Sequence, residues 1–360
     1  LIMKIGSGNR VEAVTQSTFA AFIGMLASMA VLAFYLWKTG MLTSILHKSA
    51  NAGEINSRAL LWDTIREAIP FIITGSAIQL FQIIDQNTFI HVMGWISKYN
   101  KSELLVQFAY FSANPNKITM ILIAVATSIG GVGIPLLTEN YVKGDFRSAA
   151  RLVQDNLSML IFFILPATIG AVLVAEPLYT VFYGKPDGLA LGLFIFAMLQ
   201  TIILSLYTVL APMIQALFQN RKAIIYFLYG VGVKLVLQVP LIYIFKAYGP
   251  LLATTVGLII PILLMYQEIR KVTGLNPKNL FKRSLLSVIL TVLMTIFVLV
   301  TELLIGLFLH PSGRISSFVY IALIGGIGLA VYGGPAPQIR LFGRFFGSKA
   351  ASLRRRFHIY

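Results

Sequence analysis

The sequence predicts an all-α polytopic membrane protein with about nine transmembrane helices. Three observations carry that prediction. First, 57% of the 360 residues are hydrophobic and 12% are charged, with a mean hydropathy of +0.82. A soluble domain is about 45–50% apolar and about 25% charged, so a soluble globular chain is excluded, and so is a disordered one. Second, the apolar residues fall in blocks of roughly 20, the length that crosses a hydrocarbon core of about 30 Å. They lack the two-residue alternation of an outer-membrane strand, which excludes a β-barrel. Third, only Asp85, Lys234 and Glu302 among the charged residues fall within the blocks. The net charge of +16 therefore belongs to the connections, where Lys and Arg set topology, and does not indicate nucleic acid as a partner.

The predicted spans are 18–37, 69–92, 118–138, 157–175, 190–217, 223–245, 250–267, 285–309 and 316–334. The first is uncharged from Thr18 to Trp37. Before the second, residues 58–68 mix charge with apolar residues at helical spacing and predict an interfacial helix. The second span holds Asp85 and a row of glutamines. The third carries Gly130, Gly131, Gly133 and Pro135, and the next four carry Pro166, Pro212, Pro240 and Pro261. Proline removes a backbone donor and kinks a helix, so these spans are expected to be interrupted, as in transporters that rock between two states. Gly and Pro are also simply commoner in membrane helices. The eighth span holds Glu302 near its end, and the ninth is uncharged. No connection is long enough for a sizeable soluble domain.

Orientation follows from counting. With 38–68 taken as cytoplasmic, the inside segments hold 20 Lys and Arg and the outside segments eight. This places the start outside and the C-terminus in the cytoplasm. The tail at 335–360 ends in Arg354, Arg355 and Arg356, which suits anionic lipid. The chain begins at Leu1 with an odd number of spans, and a missing start is the expectation.

Chemistry is narrowed by absences. The chain has no cysteine and four scattered histidines, so no thiol chemistry, disulfide or metal cluster is expected. It lacks a phosphate-binding G-x-x-x-x-G-K-[ST] loop, an H-E-x-x-H helix and a G-x-S-x-G elbow. No catalytic residue and no cofactor is assigned, and the chain is not read as an enzyme.

The polar residues inside the spans are the candidate site. A central charge costs about 2.5–3.5 kcal/mol on insertion scales, so each needs a reason. Lys234 shares a helix face with Gly230 and Gln238. It either lines a cavity for an anionic substrate or is tied to carbonyls or to Asp85 inside the bundle. Gly75, Gln79, Gln82 and Gln86 follow a 4-3-4 spacing on one face, flanked by Asp85 and Asn87. Amides there either grip sugar hydroxyls or bond neighbouring helices. Asp85 is the candidate for coupling to a cation of unknown identity, since carboxylates suit hard cations; helix packing is the other reading. Thr201, Ser205, Thr208, Pro212 and Gln215 share a face that marks close helix contact. Asn114, Asn116 and Lys117 stand in the predicted loop before the third span, with Lys117 at the membrane edge.

Two stretches carry a resemblance. One runs from Asn114-Pro115-Asn116-Lys117 through Ala124-Val125-Ala126-Thr127-Ser128, Ile134-Pro135-Leu136-Leu137 and Gly144-Asp145-Phe146 to Ala175-Glu176-Pro177-Leu178. The other is Lys234-Leu235 with Gln238, Pro240-Leu241-Ile242-Tyr243 and Tyr248-Gly249-Pro250-Leu251-Leu252-Ala253-Thr254-Thr255. Together they resemble the polysaccharide-flippase branch of the multidrug/oligosaccharidyl-lipid/polysaccharide exporter superfamily, nearest the MurJ-like and SpoVB/YtgP-like lipid II flippases. The resemblance covers nearly the whole chain. It implies the C-terminal part of a 14-helix, two-lobe exporter fold. Residues 1–37 would be the last helix of the N-lobe and 38–68 a cytoplasmic connection with its interfacial helix. Residues 69–270 would form a six-helix C-lobe, 271–334 two additional helices and 335–360 a basic cytoplasmic tail. About five helices would then precede the chain, and one lobe alone is expected not to flip lipid.

The resemblance implies a flippase in the bacterial plasma membrane that moves an undecaprenyl-diphosphate-linked saccharide, lipid II for peptidoglycan, from inner to outer leaflet. Lys117 and Lys234 would attract the diphosphate, and Asn114, Asn116, Gln79, Gln82, Gln86 and Gln238 would meet the head group. Family members line their cavity with arginine near the start of the span at 118–138. Here Asn114 to Lys117 offer a lysine instead, which leaves a different lipid-linked sugar open. Membrane potential or an ion gradient would drive the cycle, and anionic lipids and wall-synthesis enzymes are the expected further partners. The alternatives are a drug/cation antiporter relying on Asp85, an integral-membrane glycan enzyme, and a scaffold for wall synthesis.

Overall fold

A computed structural model describes residues 10–40, 57–306 and 313–334. The tail with Arg354 to Arg356 lies outside the described residues, as does 41–56 of the first connection. Among the described residues there is no strand. The chain divides into two units, 1–64 and 65–360. The first contains helix α1, Arg10–Lys38. Its Phe22–Lys38 part is apolar, with Met25, Val31 and Tyr35 exposed as lipid-facing side chains would be.

The second unit begins within α2, Ser57–Gly75, and continues through α3, Ala77–Ile96. Then come α4, Lys101–Phe111, α5, Ala113–Val142, α6, Phe146–Leu173, and a short α7, Ala175–Tyr183. Helix α8 is Gly188–Ala216 and α9 is Asn220–Phe245. A single 3-10 turn at Lys246–Tyr248 leads into α10, Gly249–Thr273, followed by α11, Pro277–Gly306, and α12, Arg314–Gly333.

Charged residues outside the apolar blocks set the helix ends. Asn100 and Glu103 form a reciprocal capping box on α4. Asp145 caps α6 through the Ser148 amide, and the hydrogen bonds from Ser148 hold its carboxyl below the ordinary carboxylate range. Asp187 caps α8 through Ala190. Each satisfies an amide that the first turn leaves unbonded. Gly274 closes α10 at φ +70°, a left-handed cap that glycine adopts without steric cost.

Helix α8 is the axis of the unit. It packs on α5, α6 and α10, and 17 of its 29 residues are buried, so its apolar surface is spent on protein contact all round. The central stretch of helix α11 is as apolar, yet five of the helix's 30 residues are buried; its outer face is open, as a lipid-exposed helix requires. Phe81, Leu157, Met213, Phe227, Leu258 and Met265 belong to the main core. Helices α11 and α12 add a side cluster on α6 through Phe162, Met294 and Ile324.

Among the described residues six helical stretches are long and apolar enough to cross a membrane, or seven with the bent pair α2–α3. One of the six, Asn220–Thr273, is 54 residues long. As one straight helix it would measure about 80 Å, far beyond a bilayer. It is a hairpin instead: α9 and α10 pack against each other more extensively than any other pair, and it supplies two of the predicted spans.

Three expectations are corrected. The interfacial helix at 58–68 and the span at 69–92 do not meet at residue 68. Helix α2 runs on to Gly75, and the chain bends by 54° before α3. Asn114 to Lys117 are not a loop but the first turn of α5. Pro115 is tolerated there because first-turn amides have no helical acceptor. The prolines at 135, 166, 212, 240 and 261 do not break their helices, each of which runs on through its proline. At Pro261 the loss of the donor frees the carbonyl of Gly257, and Gly230 of α9 packs against that oxygen.

A buried ion cluster beside a polar cavity

Three helices converge on Asp85. From α9, Lys234 donates from Nζ to Asp85 Oδ1 at 2.8 Å and also to Thr254 Oγ1 of α10. Its ammonium lies 4.8 Å from the Phe81 ring centroid. Gln238, one turn further on, donates from Nε2 to Asp85 Oδ1 and to Thr88 Oγ1, both at 2.8 Å. Thr254 donates to Asp85 Oδ2 at 3.4 Å. Lys234 is 0% exposed, Gln238 1% and Asp85 8%. Gln238 Oε1 is buried without a hydrogen-bond partner.

Local sequence explains the convergence. The face bearing Gly230, Lys234 and Gln238 has glycine one turn before the lysine, and Gly257 of α10 lies opposite. A methyl on Gly230 would fall on the Gly257 carbonyl, and one on Gly257 would press on Gly230 O and Lys234 Cβ. Two small residues thus bring the backbones close enough for the lysine to be enclosed. The sequence left Lys234 between a cavity wall and an internal tie; it is the tie. Gln238 is likewise committed to Asp85 and Thr88.

A cavity of about 60 Å³ adjoins the cluster, lined by Gln82, Asp85, Asn116, Thr119, Gln200 and Thr254 among others. That space holds a few waters at most. Gln200 Nε2 donates to Leu251 O at 2.7 Å and to Thr255 Oγ1 at 2.9 Å, which fixes one wall. A second cavity, about 350 Å³, lies at the α2–α3 bend and includes Thr74, Gln79, Thr127, Tyr207, Thr208 and Gln215 in its lining. Helix α8 holds that bend: Tyr207 Oη donates to Thr74 O at 3.1 Å, and Gln215 Nε2 donates to Pro70 O at 3.3 Å.

The predicted residues thus separate. Asp85, Lys234 and Gln238 meet in one cluster, with Gln82 and Asn116 on the adjoining cavity. Gln79 belongs to the second cavity, and Gln86 is exposed. Asn114 donates to Tyr179 Oη at 2.7 Å, and its carbonyl accepts from Tyr183 Oη at 2.9 Å. Exposed Lys117 stands over the Tyr183 ring at 5.0 Å. Sequence reasoning missed Thr88, Thr254 and Gln200. Gln200 had a signal, an amide in the middle of an apolar span; Thr254 lay in a quoted stretch but had no spacing partner. Among the described residues no group of three or more His, Asp or Glu is placed to hold a metal.

Comparison with known proteins fits this architecture. The family model of the lipid II flippase MurJ matches residues 5–322. The lipid II flippase MurJ of Bacillus subtilis (strain 168) is 30% identical over 338 residues, which is 92% of this chain and 62% of that protein. The chain therefore spans less than two thirds of that relative's length. A solved structure of a lipid II flippase MurJ in an inward closed conformation matches with a TM-score of 0.56 at 17% identity, over 77% of this chain and 53% of that one. This last likeness speaks to the fold. The chain is a multi-pass bacterial membrane protein, and it belongs to the lipid II flippase MurJ family.

Proposed function

We propose that the protein carries an undecaprenyl-diphosphate-linked saccharide, with lipid II as the substrate, from the inner to the outer leaflet of the plasma membrane by alternating access. It acts as a carrier, not as an enzyme. The observation that supports this most directly is the family match over residues 5–322. In this scheme 69–270 is one six-helix lobe, α1 ends a preceding lobe, and α11 and α12 are the added pair. The C-terminus is cytoplasmic.

Among the candidate contacts, the free ones are those that open on a lumen or surface. Gln79 lines the larger cavity, where its amide suits a sugar hydroxyl. Gln82 and Asn116 line the smaller one, which has room only for water, and they would meet a head group only once alternating access widens that space. Exposed Lys117 offers a cation to the diphosphate, with Tyr183 beneath it. Lys234 does not serve this role, because its charge is already met by Asp85. Direction has an electrical source: at about 2.3 kcal/mol per charge per 100 mV, an interior-negative potential favours export of two negative charges by about 4–5 kcal/mol.

The test is depletion of the full-length protein in a cell that depends on it. Lipid II is expected to accumulate on the inner leaflet. Accumulation of another lipid-linked sugar would replace the substrate, and no accumulation of any such intermediate would refute the flippase assignment.

A further inference from the structure

The donors around Asp85 are those that a hard cation takes: two carboxylate oxygens, the Thr254 hydroxyl and, close by, an amide oxygen on Gln238 with no partner. Hard cations are bound by such oxygen sets. The positive charge in this set is a side chain. Lys234 Nζ reaches Asp85 Oδ1 and Thr254 Oγ1 together, and no part of Lys234 is exposed.

We infer that Lys234 is a tethered counter-cation, an ammonium built into the position that an exchangeable alkali cation would otherwise take against Asp85. A carboxylate inside a membrane bundle needs a positive partner. A metal ion would meet that need reversibly and could couple transport to its gradient. A lysine meets it permanently. An alkali ion on the same carboxylate would sit within about 4 Å of the ammonium, and at an effective permittivity of about 20 the repulsion alone lowers its affinity about a thousandfold. This lobe therefore takes up no sodium or potassium at Asp85. For its consequence the inference rests on the transport proposal above: that cycle then draws on the membrane potential and not on an alkali-ion gradient at this site. Occupancy of the site does not depend on that proposal.

The closing experiment reads binding and stability, not flipping. Full-length wild type, Lys234→Asn and the double variant Asp85→Asn/Lys234→Asn are extracted and melted in choline, sodium and potassium chloride at equal ionic strength. Binding of radioactive sodium is measured in parallel. Wild type is expected to melt at one temperature in all three salts and to bind no stoichiometric sodium. Lys234→Asn, which leaves Asp85 uncompensated, is expected to melt several degrees higher in sodium or potassium than in choline, since a ligand of the native state stabilises it. The double variant should lose that response. Recovery of Lys234→Asn in sodium or potassium alone supports the inference equally. Saturable sodium binding by wild type would overturn it. So would a folded Lys234→Asn that responds to neither ion, or one that cannot be recovered in any salt. If these results hold while the depletion experiment shows no accumulated intermediate, the transport proposal fails and the tethered cation stands.

Discussion

A lone carboxylate or ammonium in the middle of a membrane helix costs about 2.5–3.5 kcal/mol on insertion scales, and the 2.8 Å contact between Lys234 and Asp85 is how this chain carries both. Breaking a buried pair by removing one partner costs about 3–5 kcal/mol, because the other charge is left uncompensated, whereas replacing both by neutral groups of similar size is often near neutral. Asp85→Asn and Lys234→Met should therefore each lower the melting temperature sharply, and the double variant should recover most of the loss. A double-mutant cycle by thermal melting checks this; additive losses would mean that the two side chains act separately. The pair was half legible in the sequence. Charges inside spans are rare enough to single out both residues, but 149 positions separate them, and the chain pattern offered their meeting only as one of several readings. Thr254 was illegible for a different reason. Threonine in a membrane helix commonly bonds its own backbone four residues back, as Thr255 does to Leu251. A single polar residue of that kind carries no signal about a neighbour on another helix.

Elements were more legible than their ends. Among the described residues the apolar blocks from 69 onward are helical, two of them divided between successive helices, because in a bilayer the backbone must satisfy its own hydrogen bonds and a helix does so within one segment. The errors fell where tertiary contacts decide. Prolines that predicted breaks sit inside continuous helices, while the real bend, between Gly75 and Ala77, follows Pro70 and is held by Tyr207 and Gln215 from α8. Glycines divide in the same way, by what they face. Gly230 faces the Gly257 carbonyl, while a methyl on Gly131 would meet open space. Gly230→Ala should thus force α9 and α10 apart and cost about 1–3 kcal/mol, the usual range for overpacking. Gly131→Ala should be neutral or slightly stabilising, since alanine is the better helix former by about 1 kcal/mol. Thermal melting of the two purified variants checks the pair, and equal effects would remove the close α9–α10 approach as the reason for Gly230.

For the whole molecule the decisive pattern is charge. A bundle whose outer surface is apolar on α11 and α12 is fixed in depth by its apolar blocks but not in direction, because a helix crosses equally well either way up. Direction is expected to come from the connections, where the predicted spans put 20 Lys and Arg on one side against eight on the other. The absence of cysteine from this sequence makes the point measurable at single positions. Lys143 lies at the end of α5 in a connection predicted to be cytoplasmic, and Lys98 lies between α3 and α4 in one predicted to face outward; both are exposed. In otherwise cysteine-free full-length protein in intact cells, Lys98→Cys should react with a membrane-impermeant maleimide. Lys143→Cys should react only after the membrane is opened. The reverse pattern would invert the topology. The electrical drive on an exported diphosphate would be unchanged, because an interior-negative potential favours outward movement of negative charge whichever way up the carrier lies; the inversion would instead exchange which helix ends meet the substrate on the cytoplasmic side.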